Sequence, residues 1–184
     1  MDSEWGIFMA TGRNHKKNRL TEYDYSQDGY YFVTICTKGR TECFGEIRDG
    51  KIVLSKIGEI ADRCRQEIPK HFPDVELDEY VIMPNHVHGI IIIENHIVGV
   101  QNFEPLQNKF QHIIPRSLGS IIRGFKIGVT KYCRNNNYAD VIWQRNFYDR
   151  IIRNERSLNR IREYICNNPL QWASDRNNPE NLDM

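Results

Sequence analysis

Two histidines one residue apart, His86 and His88, open a β-branched run that continues to Ile93. Alternate side chains of a strand leave the same face, so both imidazoles can share one ligand while Ile90 and Ile92 carry that face into the core. Imidazole nitrogens bind divalent cations, and the spacing suits a metal. A bare HxH in a strand is more often a pair of hydrogen-bonded, partly buried histidines, so a third group has to tip the balance. Tyr164 and Asn168 stand four residues apart and share one side of a predicted terminal helix. An amide oxygen is a hard ligand suited to magnesium or manganese, whereas two imidazoles widen the choice toward manganese, cobalt or zinc. Asn168 has an ordinary reading too, as the last helical residue before Pro169.

A phenol titrates near ~10, so a tyrosine that attacks phosphate at neutral pH must pass its proton to a neighbour or meet a phosphate made more electrophilic. A metal supplies the second. Tyr164 taken alone reads more simply as a core or hydrogen-bonded tyrosine, one of nine in the chain. Tyr148 and Tyr132 compete for the nucleophile's role; four residues beyond them stand Ile152 and Asn136 respectively.

The elements that must position these groups are legible in outline. Tyr30 to Thr37 is aromatic and β-branched and reads as a strand. Cys43 to Ile47 and Lys51 to Leu54 form a hairpin about Asp49-Gly50, a dipeptide that supplies positive φ angles. Ser55 caps a helix with Ile57, Ile60, Ala61 and Cys64 on one face, which Pro69 stops. Leu77 to Met83 and His86 to Ile93 read as strands around Pro84-Asn85, and Glu94 to Pro115 reads as a long loop. Ser117 opens a second helix with Leu118, Ile121, Ile122, Phe125 and Val129 as its stripe. A short strand follows over Val141 to Phe147, then a final helix from Ser157 to Asn168 whose Leu158, Ile161 and Ile165 face the core. This order is that of an α+β, ferredoxin-like split βαβ antiparallel sheet with a hairpin inserted and a helix added. The boundaries are an N-terminal basic arm over 1–29, a body over 30–173 and a frayed polar tail over 174–184.

Composition fits one globular domain: 184 residues, 40% hydrophobic and 27% charged. The five cysteines show neither a CxxC pair nor zinc-site spacing, which points to a reduced cytosol and a cytoplasmic protein. No stretch approaches the ~20 apolar residues of a membrane span. Net charge is only +1, but it is unevenly spread. Ten acidic and six basic residues fall between Glu42 and Tyr80, against four acidic and eleven basic between Arg116 and Glu163. The basic half can neutralise a phosphate backbone. Arg123, Lys126, Lys131 and Arg134 recur along the second helix, Arg145, Arg150 and Arg153 follow it, and Arg13, Lys16 and Lys17 lie in the arm. Trp143, Phe147 and Tyr148 are interleaved with the arginines, as where unpaired bases stack, although Trp143 reads equally well as core.

The blocks YFVTICTKGR (Tyr31 to Arg40), VIMPNHVHGIII (Val81 to Ile92), SLGSIIRGFK (Ser117 to Lys126), WQRNFYDRIIRNE (Trp143 to Glu155) and REYICNNPLQW (Arg162 to Trp172) resemble, in order, the REP-associated tyrosine transposases and their insertion-sequence relatives among the HUH single-tyrosine transposases. The resemblance implies an HUH nuclease-type fold, His86 and His88 as the metal-binding pair, Tyr164 as nucleophile and Asn168 in the place of a polar third ligand. It implies Mg2+- or Mn2+-dependent cleavage of single-stranded or hairpin DNA through a 5′-phosphotyrosine, with a free 3′-hydroxyl, by a monomer or homodimer. Two other readings stand beside it: a hairpin-DNA-binding regulator that has lost the reaction, and a metal-dependent hydrolase using water. The second needs an acidic base near the histidines, and the MPNHVHG run supplies none.

Overall fold

The computed structural model describes residues 23–94, 115–138, 143–175 and 177–181. Four strands form one antiparallel sheet: β1 (Gly29–Cys36), β4 (Val75–Met83), β5 (His86–Ile93) and β6 (Tyr148–Ile152), in the spatial order β4-β5-β1-β6. This is the ferredoxin-like arrangement expected from the element order. β2 (Gly45–Arg48) and β3 (Lys51–Leu54) make a separate hairpin, with Asp49 and Gly50 at φ of 50° and 70°. Those positive angles match the twist of the flanking strands and explain the Asp-Gly pair.

The sheet is covered on both faces. Under one face lie α1 (Lys56–Gln66) and α3 (Leu118–Asn135), whose Ile60, Ala61, Ile121, Ile122, Phe125 and Val129 pack on Tyr31, Val33, Ile35, Val87 and Ile91. On the other, α4 (Glu155–Asn167) lays Ile161 and Ile165 on Val81, Met83, Ile90, Ile92 and Ile152. Ser55, Ser117 and Asn154 cap α1, α3 and α4, each accepting a backbone N–H from the first turn. α1 ends before Pro69, which instead sits in the first turn of the one-turn helix α2 (Ile68–His71), where proline costs no hydrogen bond.

Two features differ from the sequence expectation. The fourth strand is β6, not Val141 to Phe147. Of that stretch 141–142 lie outside the described residues, and Trp143 makes an isolated bridge to Thr37. Trp143 is held by side-chain packing on Phe44 and Phe125 and by donating Nε1–H to Lys126 O, while Ile151 and Ile152 supply the ladder. In addition, β4 starts two residues early and carries a bulge between Leu77 and Tyr80. The extra residue reverses the strand's parity, so that Leu77 and Tyr80 share the α1 face and Val81 and Met83 turn to the α4 face. The long loop expected over 94–115 falls almost entirely outside the described residues.

The ends of the described chain pack more than the sequence suggested. Tyr23 and Tyr25, assigned to the arm, join the core beside Tyr31. In the polar tail Asn177 and Asn178 are buried. All five cysteines are free. No described helix is long and apolar enough to cross a membrane.

Candidate metal and nucleophile site

β5 faces α4 with His86, His88, Ile90 and Ile92, as its alternation requires. His86 is fully buried, His88 is 2% exposed, and their Nε2 atoms stand 3.0 Å apart. Each imidazole is held from behind. Asn85 Nδ2 donates to Arg40 O at 3.2 Å and to Asn177 O at 2.7 Å. These two bonds orient the amide, leaving Oδ1 to accept from His86 Nδ1–H at 2.8 Å. Nδ1 therefore carries the His86 proton and Nε2 presents a lone pair. On the other ring, His88 Nδ1 lies 2.9 Å from Thr34 Oγ1, on the neighbouring strand β1. A hydroxyl donates or accepts, so Thr34 serves either tautomer of His88. Phe32 stacks on the His88 ring at 5.3 Å, and Trp172 lies 6.1 Å from His86.

α4 delivers Tyr164 to the same place. Its hydroxyl is 3.3 Å from His88 Nε2, and its ring packs edge-on to Phe32 and His88. Ile161 and Ile165 fix the rotation of the helix, and Arg162 fixes its position along β4 through Asp78, with Nη2 to Oδ2 at 2.6 Å and Nε to both carboxylate oxygens at 3.0 and 3.2 Å. Asp78 lies in the β4 bulge.

Asn168 is 1% exposed, just beyond α4. Its Nδ2 donates to Asp175 Oδ2 at 3.3 Å, whereas its Oδ1 is buried with no hydrogen-bond donor. Asp175 follows a 3-10 segment, Pro169–Ser174, that turns the chain back over the histidines. One ligand atom each from His86, His88 and Asp175 lie within 4.8 Å of one another, the one such group of three among the described residues. Asp175 escaped the sequence reading because it falls in a tail read as frayed. The signal was the proline after Asn168, which ends the α-helix and lets a tighter 3-10 path bring a carboxylate back.

These residues fit a divalent cation. Two imidazole nitrogens and a carboxylate converge, and Asn168, hydrogen-bonded to that carboxylate, carries a buried amide oxygen without a donor, which is costly unless something positive reaches it. One chain supplies the whole set.

The expected DNA contacts distribute differently. Arg13, Lys16 and Lys17 lie outside the described residues. Arg123 and Lys131 are exposed on α3, on the sheet face opposite the histidines. Lys126 is engaged within the fold, its ammonium donating to Gln144 O at 2.8 Å and Asn146 O at 3.2 Å. Arg145 and Arg153 are exposed on either side of β6. Of the three candidate stacking aromatics, Trp143 and Phe147 belong to the α3-side core, and Tyr148 is exposed. Tyr132, the other rival nucleophile, lies near the end of α3, on the far side of the sheet from the histidines.

No family model matches the sequence. An uncharacterised protein of Haemophilus influenzae is 43% identical over 169 residues, spanning 89% of this chain and 93% of its own. A second protein of that species, provisionally named a REP-associated tyrosine transposase, is 26% identical over 149 residues, spanning 80% of this chain and 74% of its own. A solved structure of a REP-associated tyrosine transposase bound to a REP hairpin superposes with a TM-score of 0.57 at 20% identity, over 83% of this chain and 73% of that one. At that identity the likeness is one of fold. In fold, and more distantly in sequence, the chain is similar to the REP-associated tyrosine transposases.

Proposed function

We propose that the protein cleaves and rejoins single-stranded DNA beside a hairpin, through a covalent bond between Tyr164 and a 5′-phosphate. The observation that carries this reading is the convergence of the Tyr164 hydroxyl, 3.3 Å from His88 Nε2, on a group of cation-ligand type. A REP hairpin is the ligand of a relative in fold, which makes hairpin DNA the first substrate to try.

His86 Nε2, His88 Nε2 and the Asp175 carboxylate would hold Mg2+ or Mn2+, with Asn168 Oδ1 as a further donor. A cation held there would supply Lewis-acid stabilisation of the charge that builds up on the phosphate during in-line displacement. Asn85 fixes the His86 tautomer, and Thr34 lets His88 present Nε2 as a lone pair by accepting its Nδ1–H. Phe32 and the Ile161–Ile165 face of α4 hold the Tyr164 ring against the histidines, which limits the loss of rotational freedom on reaction. In the step itself the bond from the phenolic oxygen to phosphorus forms and the bond to the 3′ oxygen breaks. The phenol gives up one proton and the departing 3′-hydroxyl gains one, so the energy of the phosphodiester is kept for rejoining.

Asp175 bears on the alternatives. A carboxylate beside the histidines is what a hydrolase using water needs, and the tail supplies the acid that the MPNHVHG run lacks. A hairpin-binding regulator, by contrast, has no physical need for two buried, facing imidazoles with a carboxylate beside them.

Incubation with labelled hairpin-bearing single strands and Mn2+, resolved on a denaturing gel, separates the three. The expected result is a covalent adduct that Tyr164→Phe reduces by at least about three orders of magnitude. An adduct that survives Tyr164→Phe and vanishes with Tyr148→Phe would make Tyr148 the nucleophile and overturn the assignment to Tyr164. Cleavage without any adduct would favour the hydrolase, and binding without cleavage the regulator.

A further inference from the structure

On the sheet face that carries the histidines, α4 covers only part of the surface. Along β6, Ile152 is paired with Tyr30 and packs beneath α4. Its same-face neighbours Arg150 and Tyr148 are both exposed, Tyr148 at 40%. Their pairing partners on β1 are Phe32 and Thr34, which in turn touch His88: Phe32 stacks on its ring and Thr34 lies 2.9 Å from its Nδ1. Directly paired residues project to the same side of a sheet, so Tyr148 lies in register with Thr34 and His88, two strand spacings or about 10 Å between backbones, and Arg150 lies in register with Phe32 and Ile90, one same-face step further along. Among the described residues Arg150 has neither an ion-pair partner nor a side-chain hydrogen bond.

We infer that Tyr148 and Arg150 form a subsite for the DNA strand that leaves the scissile phosphate across β1 toward the edge of the sheet. Tyr148 offers a ring for an unpaired base, and Arg150 offers its charge to the adjacent phosphate. An edge strand often carries a charge to block pairing with other chains, which accounts for an arginine there. It does not account for an exposed phenol two residues away on the same face as the histidines. Single-stranded nucleic acid is held by this combination of aromatic platforms and cations along a backbone. The inference rests on the reading of Tyr164 as the group that meets DNA, and it gives Tyr148 the role of platform, not nucleophile.

The test is binding without chemistry. A dye-labelled single strand that carries a hairpin and flanking unpaired nucleotides is titrated with the full chain in EDTA, and anisotropy is read at several salt concentrations. Tyr148→Ala should weaken binding by at least about 5-fold, while Tyr148→Phe, which keeps a ring, stays within about twofold of the parent. Arg150→Ala should reduce the slope of log K against log salt by about 0.7, the value for one phosphate on a single strand, and Arg150→Gln should do the same. Lys56→Ala, at an exposed cation of α1 on the other side of the molecule, should leave affinity and slope close to the parent's. Unchanged affinity in Tyr148→Ala together with an unchanged slope in both Arg150 variants would overturn the inference. So would a covalent adduct carried by Tyr148. Failure of Tyr164 to form an adduct while these losses in binding persist would overturn the proposed reaction and leave the subsite standing.

Discussion

The imidazoles of His86 and His88 face each other through their Nε2 atoms, an arrangement that has two stable solutions. In one, His88 Nε2–H donates to the His86 lone pair and Thr34 gives its hydroxyl proton to His88 Nδ1. In the other, His88 turns its proton to Thr34 and both Nε2 lone pairs are free to bind a cation. Thr34 permits both, because its hydroxyl reverses roles at 2.9 Å without moving. Thr34→Val keeps the shape and removes the hydroxyl, so the second solution leaves His88 Nδ1–H without an acceptor. We expect Mn2+ affinity, read by titration calorimetry, to fall by about 10–100-fold in Thr34→Val and in Asn85→Ala. Affinity equal to the parent's in both would mean that these neighbours do not orient the ring nitrogens. The HxH pair itself was legible in the sequence, because strand alternation alone puts His86 and His88 on one face. Asn85 was not, since its role depends on carbonyls from Arg40 and Asn177, distant in sequence.

At the level of elements, α4 sets the geometry and the segment after it completes the site. Ile165 is fully buried between α4 and the sheet, one residue beyond Tyr164. Ile165→Ala should cost about 2–5 kcal/mol of unfolding free energy, measured in urea, because it deletes packed methyl groups and leaves a cavity. A cost below about 1 kcal/mol would mean that the helix is held elsewhere, for instance by Arg162 and Asp78 alone. Truncation after Ser174 removes Asp175 and the Asn177 carbonyl but leaves every described strand and α-helix in place. The shortened chain should still unfold cooperatively, yet bind Mn2+ more weakly than the parent by calorimetry; undiminished binding would exclude Asp175 as a ligand. Helical periodicity revealed the face of α4 that carries Leu158, Ile161 and Ile165, and with it Tyr164 and Asn168. It could not reveal Asp175, because a 3-10 turn after a proline has no hydrophobic rhythm to read. For the same reason β6 was displaced: Trp143 and Phe147 have strand-like composition but use their side chains as core, and only the pairing of Ile151 and Ile152 with β1 separates the two.

For the molecule as a whole, the sheet divides the work. One face, with α1 and α3, is mainly core and carries the basic helix surface at Arg123 and Lys131 on its outer side; the other carries the histidines, Tyr164 and the β6 strip. The charge asymmetry in the sequence pointed to a nucleic-acid partner without saying which side of the sheet would meet it. Antiparallel pairing sets Tyr148 and Arg150 opposite Thr34 and Phe32 on the histidine face, and it is on this register that the proposed DNA side rests. The central claim is that one phosphodiester is gripped where His86, His88, Asp175 and Tyr164 meet. The measurement that bears on it most directly is mass spectrometric mapping of the covalent product formed with hairpin-bearing single strands and Mn2+. The account predicts a nucleotide on the peptide containing Tyr164 in the parent, and none in His86→Ala or His88→Ala. A nucleotide on any other tyrosine, or undiminished modification of Tyr164 after both histidines are replaced, would contradict it.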